Sequence, residues 1–168
     1  VSEVAPTNIH AGCVLLGHAG DAFGAPWDAG VLLLGDSGAG KSDLALRLIE
    51  RGAVLVADDR CELFLRDEAL WARAPAVLAG LIELRGVGIV ALPHAAEARI
   101  ALAVQLVARE AVPRLPEPTR FVPPEILGVS SGLWPPLIAL ASFEASAPAK
   151  IAAAVAAFAG GLFRDTAP

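Results

Sequence analysis

Apolar residues along this chain come mostly in short runs bounded by Gly, Pro and Asp, with a segment of helical period early and an alanine-rich one late. Residues 9–16 predict a first strand, and the Gly-, Asp- and Pro-bearing residues 17–30 a loop. The apolar run 32–34 predicts a second strand. Beyond it Leu44, Ala45, Leu48 and Ile49 recur on one face of a helix, with Gly52 placed to close it as a C′ residue. Residues 54–57 are uniformly apolar and predict a buried strand, followed by an alternating strand up to Asp67. Residues 75–92 form a further apolar segment interrupted by Glu83, Arg85 and two closely spaced glycines, and residues 100–109 predict another strand. The proline-rich stretch 113–125 suits a loop or a sheet edge. Near the end, the apolar residues 151–163 are too few to span a bilayer and rich in Ala, which predicts a docked helix. No repeat or low-complexity linker divides the pattern, so the expectation is one α/β domain over residues 1–168, with a mixed sheet and more strand than helix.

Composition narrows what such a domain can do. At 168 residues and 55% hydrophobic content the chain is long enough to bury a core without covalent staples. Its net charge of -5 offers no general attraction to nucleic acid or to an anionic membrane, so any anion must be bound locally. The two lysines are Lys41 and Lys150. Cys13 and Cys61 are too few for a disulfide framework and lack metal-ligand spacing; they are expected to be core thiols in a reducing cytoplasm. No signal peptide is visible, and Val1 in place of Met suggests a processed start.

The chemistry concentrates in residues 35–42, Gly35-Asp36-Ser37-Gly38-Ala39-Gly40-Lys41-Ser42, which lie between a strand and a helix and fit G-x-x-x-x-G-K-[ST]. Glycines let successive N–H groups turn toward an anion, and the helix that follows points the positive end of its dipole at the same place. Lys41 adds a cation for the β and γ phosphates, and the Ser42 hydroxyl suits Mg²⁺. Asp58 and Asp59 end the strand after that helix, at the sheet edge where ligands of α/β proteins usually sit. They read either as a turn between strands or as a metal ligand and a proton acceptor. Glu83 and Arg85 read either as pocket-lining charges or as a surface pair on a half-exposed strand.

Taken together, "GDSGAGKSD", "RGAVLVADDR" and "LIELRGVGIV" resemble the catalytic domain of HPr kinase/phosphorylase, the bacterial enzyme that phosphorylates a serine of the phosphocarrier protein HPr and removes that phosphate again. The block Glu83-Leu84-Arg85-Gly86-Val87-Gly88 matches that family's own signature. The resemblance is strong over residues 9–89, and it is to the short form of the enzyme, which lacks the N-terminal domain. It implies a phosphoenolpyruvate carboxykinase-like P-loop fold, with residues 35–42 binding ATP, Lys41 on phosphate, and Ser42 with Glu83 on Mg²⁺. Asp59 would be the proton acceptor with Asp58 beside it. His10 matches the active-site histidine, although Ala11 follows it where Gly is usual, and Arg114 matches an essential arginine. Long enzymes carry a Gly-Arg-Asn loop for dephosphorylation where this chain reads "FEASAPAK". Lys150, placed at a helix start where a lysine opposes the dipole, is either a replacement cation beside an anion or a solvated side chain. The implied partners are an HPr-like carrier and further copies of this chain, a hexamer by family resemblance, with no nucleic acid and no membrane. Trp134 in "GLWPPL" is a candidate for docking, with core use the competing reading.

Overall fold

A computed structural model describes residues 5–164. Ten strands and two helices follow one another as β1 (Thr7–Leu15), β2 (Gly30–Leu34), α1 (Lys41–Glu50), β3 (Val54–Ala57), β4 (Arg60–Arg66), β5 (Ala69–Arg73), β6 (Leu81–Leu84), β7 (Gly88–Ala91), β8 (Ala98–Leu106), β9 (Thr119–Arg120), β10 (Pro136–Leu140) and α2 (Ala147–Gly160). The strand-rich α/β expectation therefore holds.

The two nine-residue strands organise the molecule. The first half of β1 pairs antiparallel with β4, while its second half pairs with β2 and β3. The start of β8 likewise pairs antiparallel with β5, and the rest runs parallel to β2 and β10. Two sheets thus share β1 and β8 and fold over one another. Alternation along each strand then supplies two cores. Val31 and Leu33 face a core shared with α1 and α2, while Leu32 faces a second core between the sheets, with Cys13, Cys61, Leu63 and Ile100. Because β2 is covered on both faces it reads as an unbroken apolar run.

Helix α1 buries Leu44, Ala45 and Leu48 against the first core, as its period predicts, and Gly52 follows it at φ +104°. Helix α2 docks through Ile151, Ala152, Val155 and Ala156. The predicted loop 17–30 contains a 3-10 turn, Gly17–Phe23. The proline-rich stretch is loop except for β9, a two-residue edge strand on β10. Trp134 is half-buried, outside both cores, and donates its indole N–H to Val129 O (3.0 Å). Cys13 and Cys61 are buried and free; the hydrogen bond the Cys13 thiol makes to Cys61, with burial added, pushes it well above its ordinary range.

The apolar segment of residues 75–92 is broken where its charges and glycines interrupt it. It forms a separate hairpin, β6–β7, covered on one face only: Ile82 is buried against the first core, while Val87 and Ile89 face solvent. Glu83 and Arg85 are exposed on it, so neither is buried.

Candidate functional site

Strand β2 delivers its chain into the glycine loop, and α1 starts at Lys41. Gly38 and Gly40 hold φ of +81° and +91°, in the region side chains disfavour. Gly40 has a second reason to lack a side chain, since a Cβ there would lie 2.5 Å from Ser142 Oγ and 2.9 Å from Phe143 Cζ. No side chain caps the first turn of α1. The Lys41 stem is buried, and its ammonium donates to the carbonyls of Gly35 (2.7 Å) and Asp36 (3.0 Å), closing the loop on itself.

Asp58 settles against this loop. The Ser42 hydroxyl donates to Asp58 Oδ1 (2.6 Å), and the Glu83 backbone N–H donates to Asp58 Oδ2 (2.9 Å). One nearly buried carboxylate thereby joins the phosphate loop to the β6–β7 hairpin. Asp59 points elsewhere: at φ +63° the chain turns sharply, and its exposed carboxylate accepts a hydrogen bond from His10 Nε2 (2.6 Å). The pairing of β1 with β4, in which His10 lies opposite Arg60, is what brings that imidazole to the turn. The turn reading and the functional reading of Asp58-Asp59 are therefore compatible.

Other expected residues are placed less centrally. The Glu83 carboxylate is exposed and has no hydrogen-bond partner among the described residues, and only its backbone touches Asp58. Arg114 stands on an exposed loop, without an ion pair among the described residues. Lys150 has its anion: the ammonium lies 2.8 Å from Glu144 Oε2, and Arg109 Nε lies 3.3 Å from the other carboxylate oxygen. The Lys150 hydrogen bond and charge, helped by Arg109, hold the Glu144 carboxyl below its ordinary range.

Sequence reasoning missed the far flank of the loop. Here a cavity of about 840 Å³ opens between Asp36–Ala39, the segment Gln105–Arg109 after β8, and the turn Ala141–Glu144 after β10. Ser142 Oγ donates to Ala39 O (2.5 Å), and the Arg47 guanidinium, on α1, donates to the carbonyls of Ser142 and Glu144. The one available signal was position, since both segments follow the carboxyl ends of strands parallel to β2.

The donor set suits nucleotide phosphates and Mg²⁺. Gly40 keeps the cradle free of a Cβ, Lys41 supplies a cation, and Ser42 with Asp58 offers hard oxygens. Mg²⁺ keeps several waters and takes one or two protein oxygens, a demand that Ser42 and Asp58 could meet.

Comparison with known proteins points the same way. The family model described as HPr Serine kinase C-terminal domain matches residues 24–113. HPr kinase/phosphorylase of Levilactobacillus brevis is 51% identical over 65 residues, 38% of this chain and 21% of the relative. Its counterpart in Streptococcus pneumoniae is 55% identical over 62 residues, 36% of this chain and 20% of the relative. The matched stretch thus spans about a fifth of the length of these curated relatives. The solved Hpr(Ser) kinase/phosphatase from Coxiella burnetii superposes with a TM-score of 0.71 at 25% identity, covering 93% of this chain and 98% of that one. A family match over more than half of the chain, residues 24–113, which include the glycine loop and Asp58, means that this chain belongs to the HPr Serine kinase C-terminal domain family.

Proposed function

We propose that this chain is an ATP- and Mg²⁺-dependent protein serine kinase acting on an HPr-like phosphocarrier, and that it also catalyses removal of the phosphate. The observation that carries the reading is the contact of Ser42 with Asp58 at 2.6 Å, with Asp59 and His10 hydrogen-bonded to each other one residue away.

Residues 35–42 hold the phosphates by their backbone N–H groups, with the Lys41 ammonium turning from the loop carbonyls to phosphate oxygens. Ser42 and Asp58 would hold Mg²⁺, with Glu83 as the further carboxylate that the family resemblance implies. The metal, when bound, neutralises charge on the phosphate oxygens. Asp59 accepts the proton of the attacking serine hydroxyl, and His10 keeps that carboxylate aimed. In the reverse direction phosphate or water attacks the phosphorus of the phosphoserine, the P–O bond to serine breaks with release of pyrophosphate or phosphate respectively, and the protonated Asp59 gives its proton to the leaving serine oxygen. Arg114, exposed on its loop, meets the incoming protein. Lys150 gives the reverse direction no free charge, because Glu144 already neutralises it. Cytoplasmic residence and self-association, a hexamer on the family resemblance, belong to the same proposal; no described helix is long and apolar enough to cross a membrane.

Incubation with γ-labelled ATP, Mg²⁺ and purified HPr, its serine variant or candidate small molecules tests the reading. Label is expected on HPr and absent from the serine variant. Label on a small molecule alone would make this a small-molecule kinase, and bound ATP without transfer would make it a nucleotide-binding regulator.

A further inference from the structure

The phosphate loop has two flanks, and the reactive groups occupy one of them. Asp58, Asp59 and His10 stand on the side of β1 and β3, while the cavity of about 840 Å³ opens on the side of β8 and β10. Phe143 lines that cavity and is 71% exposed. The backbone around it is nonetheless tied down. The neighbouring Ser142 Oγ is bonded to Ala39 O, and Arg47 holds the carbonyls of Ser142 and Glu144 on either side of it. The ring itself rests beside the loop, its Cζ within 2.9 Å of where a Gly40 Cβ would be. An aromatic face fixed by its neighbours and left bare at the mouth of a cavity is a preorganised stacking surface.

We propose that this cavity holds the purine nucleoside end of the nucleotide, with the Phe143 ring stacked on the base. The inference rests on the nucleotide reading above. A triphosphate laid along the loop with its reacting end at Ser42 and Asp58 has its other end on the opposite flank. The cations of that flank are already engaged, since Glu144 lies between Arg109 at 3.3 Å and Lys150 at 2.8 Å, and Asp36, the other acid lining the cavity, adds negative charge. A neutral, flat group therefore suits the cavity better than a further anion. Stacking on a phenyl ring reads the face of a base and not its edge, so ATP and GTP should bind alike.

Calorimetric titration of the whole chain with Mg·ATP, Mg·GTP and tripolyphosphate tests this. Phe143→Ala should weaken both nucleotides by about 5- to 100-fold, the range of base–aromatic stacking, and leave tripolyphosphate unchanged. Phe143→Tyr should restore nucleotide binding. Unchanged ATP affinity in Phe143→Ala would overturn the inference, as would an equal loss for tripolyphosphate, which would mean that the ring only props the loop. A wild-type chain that binds tripolyphosphate no more weakly than ATP would overturn it too. If the wild-type chain binds none of the three and matches Lys41→Ala, the proposed function fails with it.

Discussion

Asp59 combines a backbone conformation that costs of order 1–3 kcal/mol for most residues with the proton-accepting role assigned to it. Asp and Asn tolerate that region better than other side chains, so Asp59→Asn should keep the turn and still accept from His10. It cannot take a proton from serine. Phosphorylation of HPr and dephosphorylation of phospho-HPr should therefore fall together, by ~10²–10⁴. A fully active Asp59→Asn in either assay would remove the mechanism. Lys41 carries a different combination, because its ammonium also satisfies two loop carbonyls. Lys41→Ala should abolish phosphoryl transfer at a stability cost of about 1 kcal/mol, the usual net worth of a hydrogen bond to carbonyls that water can still reach. Thermal melting and the labelled-ATP assay on one preparation separate the two effects.

Between elements, the turn after β10 ties three of them together. Arg47 of α1 holds its backbone, Ser142 holds the glycine loop, and Glu144 links Lys150 of α2 with Arg109 beyond β8. Glu144 reports on that junction through pH. Lys150 and Arg109 lower its pKa in the folded chain, so the contribution to stability is complete above the unfolded value of about 4.3 and disappears as pH falls through the lower folded value. Urea unfolding of wild type and Glu144→Gln across pH 3 to 7 should show wild type more stable at the upper end, with the two curves converging at the acid end. A constant gap across the range would mean that Glu144 acts by packing and not by charge.

At the scale of the whole molecule, β1 and β8 each belong to two sheets, so the two cores cannot loosen independently. Leu32 lies fully buried in the core between the sheets, on the strand that carries the glycine loop. Leu32→Ala should cost about 2–5 kcal/mol and lower the melting temperature in one cooperative step. A separate early transition would show that the sheets unfold apart. The sharing of β1 and β8 also explains what could be read in advance. Runs such as Val31 to Leu33, and the period of Leu44, Ala45 and Leu48, place strand and helix because burial is written into neighbouring residues. The loop from Gly35 to Ser42 was legible for the same reason, since its members act within one turn of chain. For the hairpin carrying Glu83 both alternatives stayed open, because nothing local tells whether an apolar segment has one covered face or two. Asp58 and Asp59 are adjacent and chemically identical; a left-handed turn at Asp59 and a strand pairing with residues 49 positions away send one to Ser42 and the other to His10. Arg47 meets Ser142 and Glu144 from 95 and 97 residues away, and Phe143 becomes a cavity wall only through those contacts. By itself, then, the sequence determined the helices, a phosphate loop and the strands β1 to β4 and β8, though not β5 or β10, because those it did determine depend on short-range geometry. Which carboxylate faces the loop, which cation is already neutralised and what lines the far flank were decided by tertiary structure, because only the pairing of distant strands brings those side chains together.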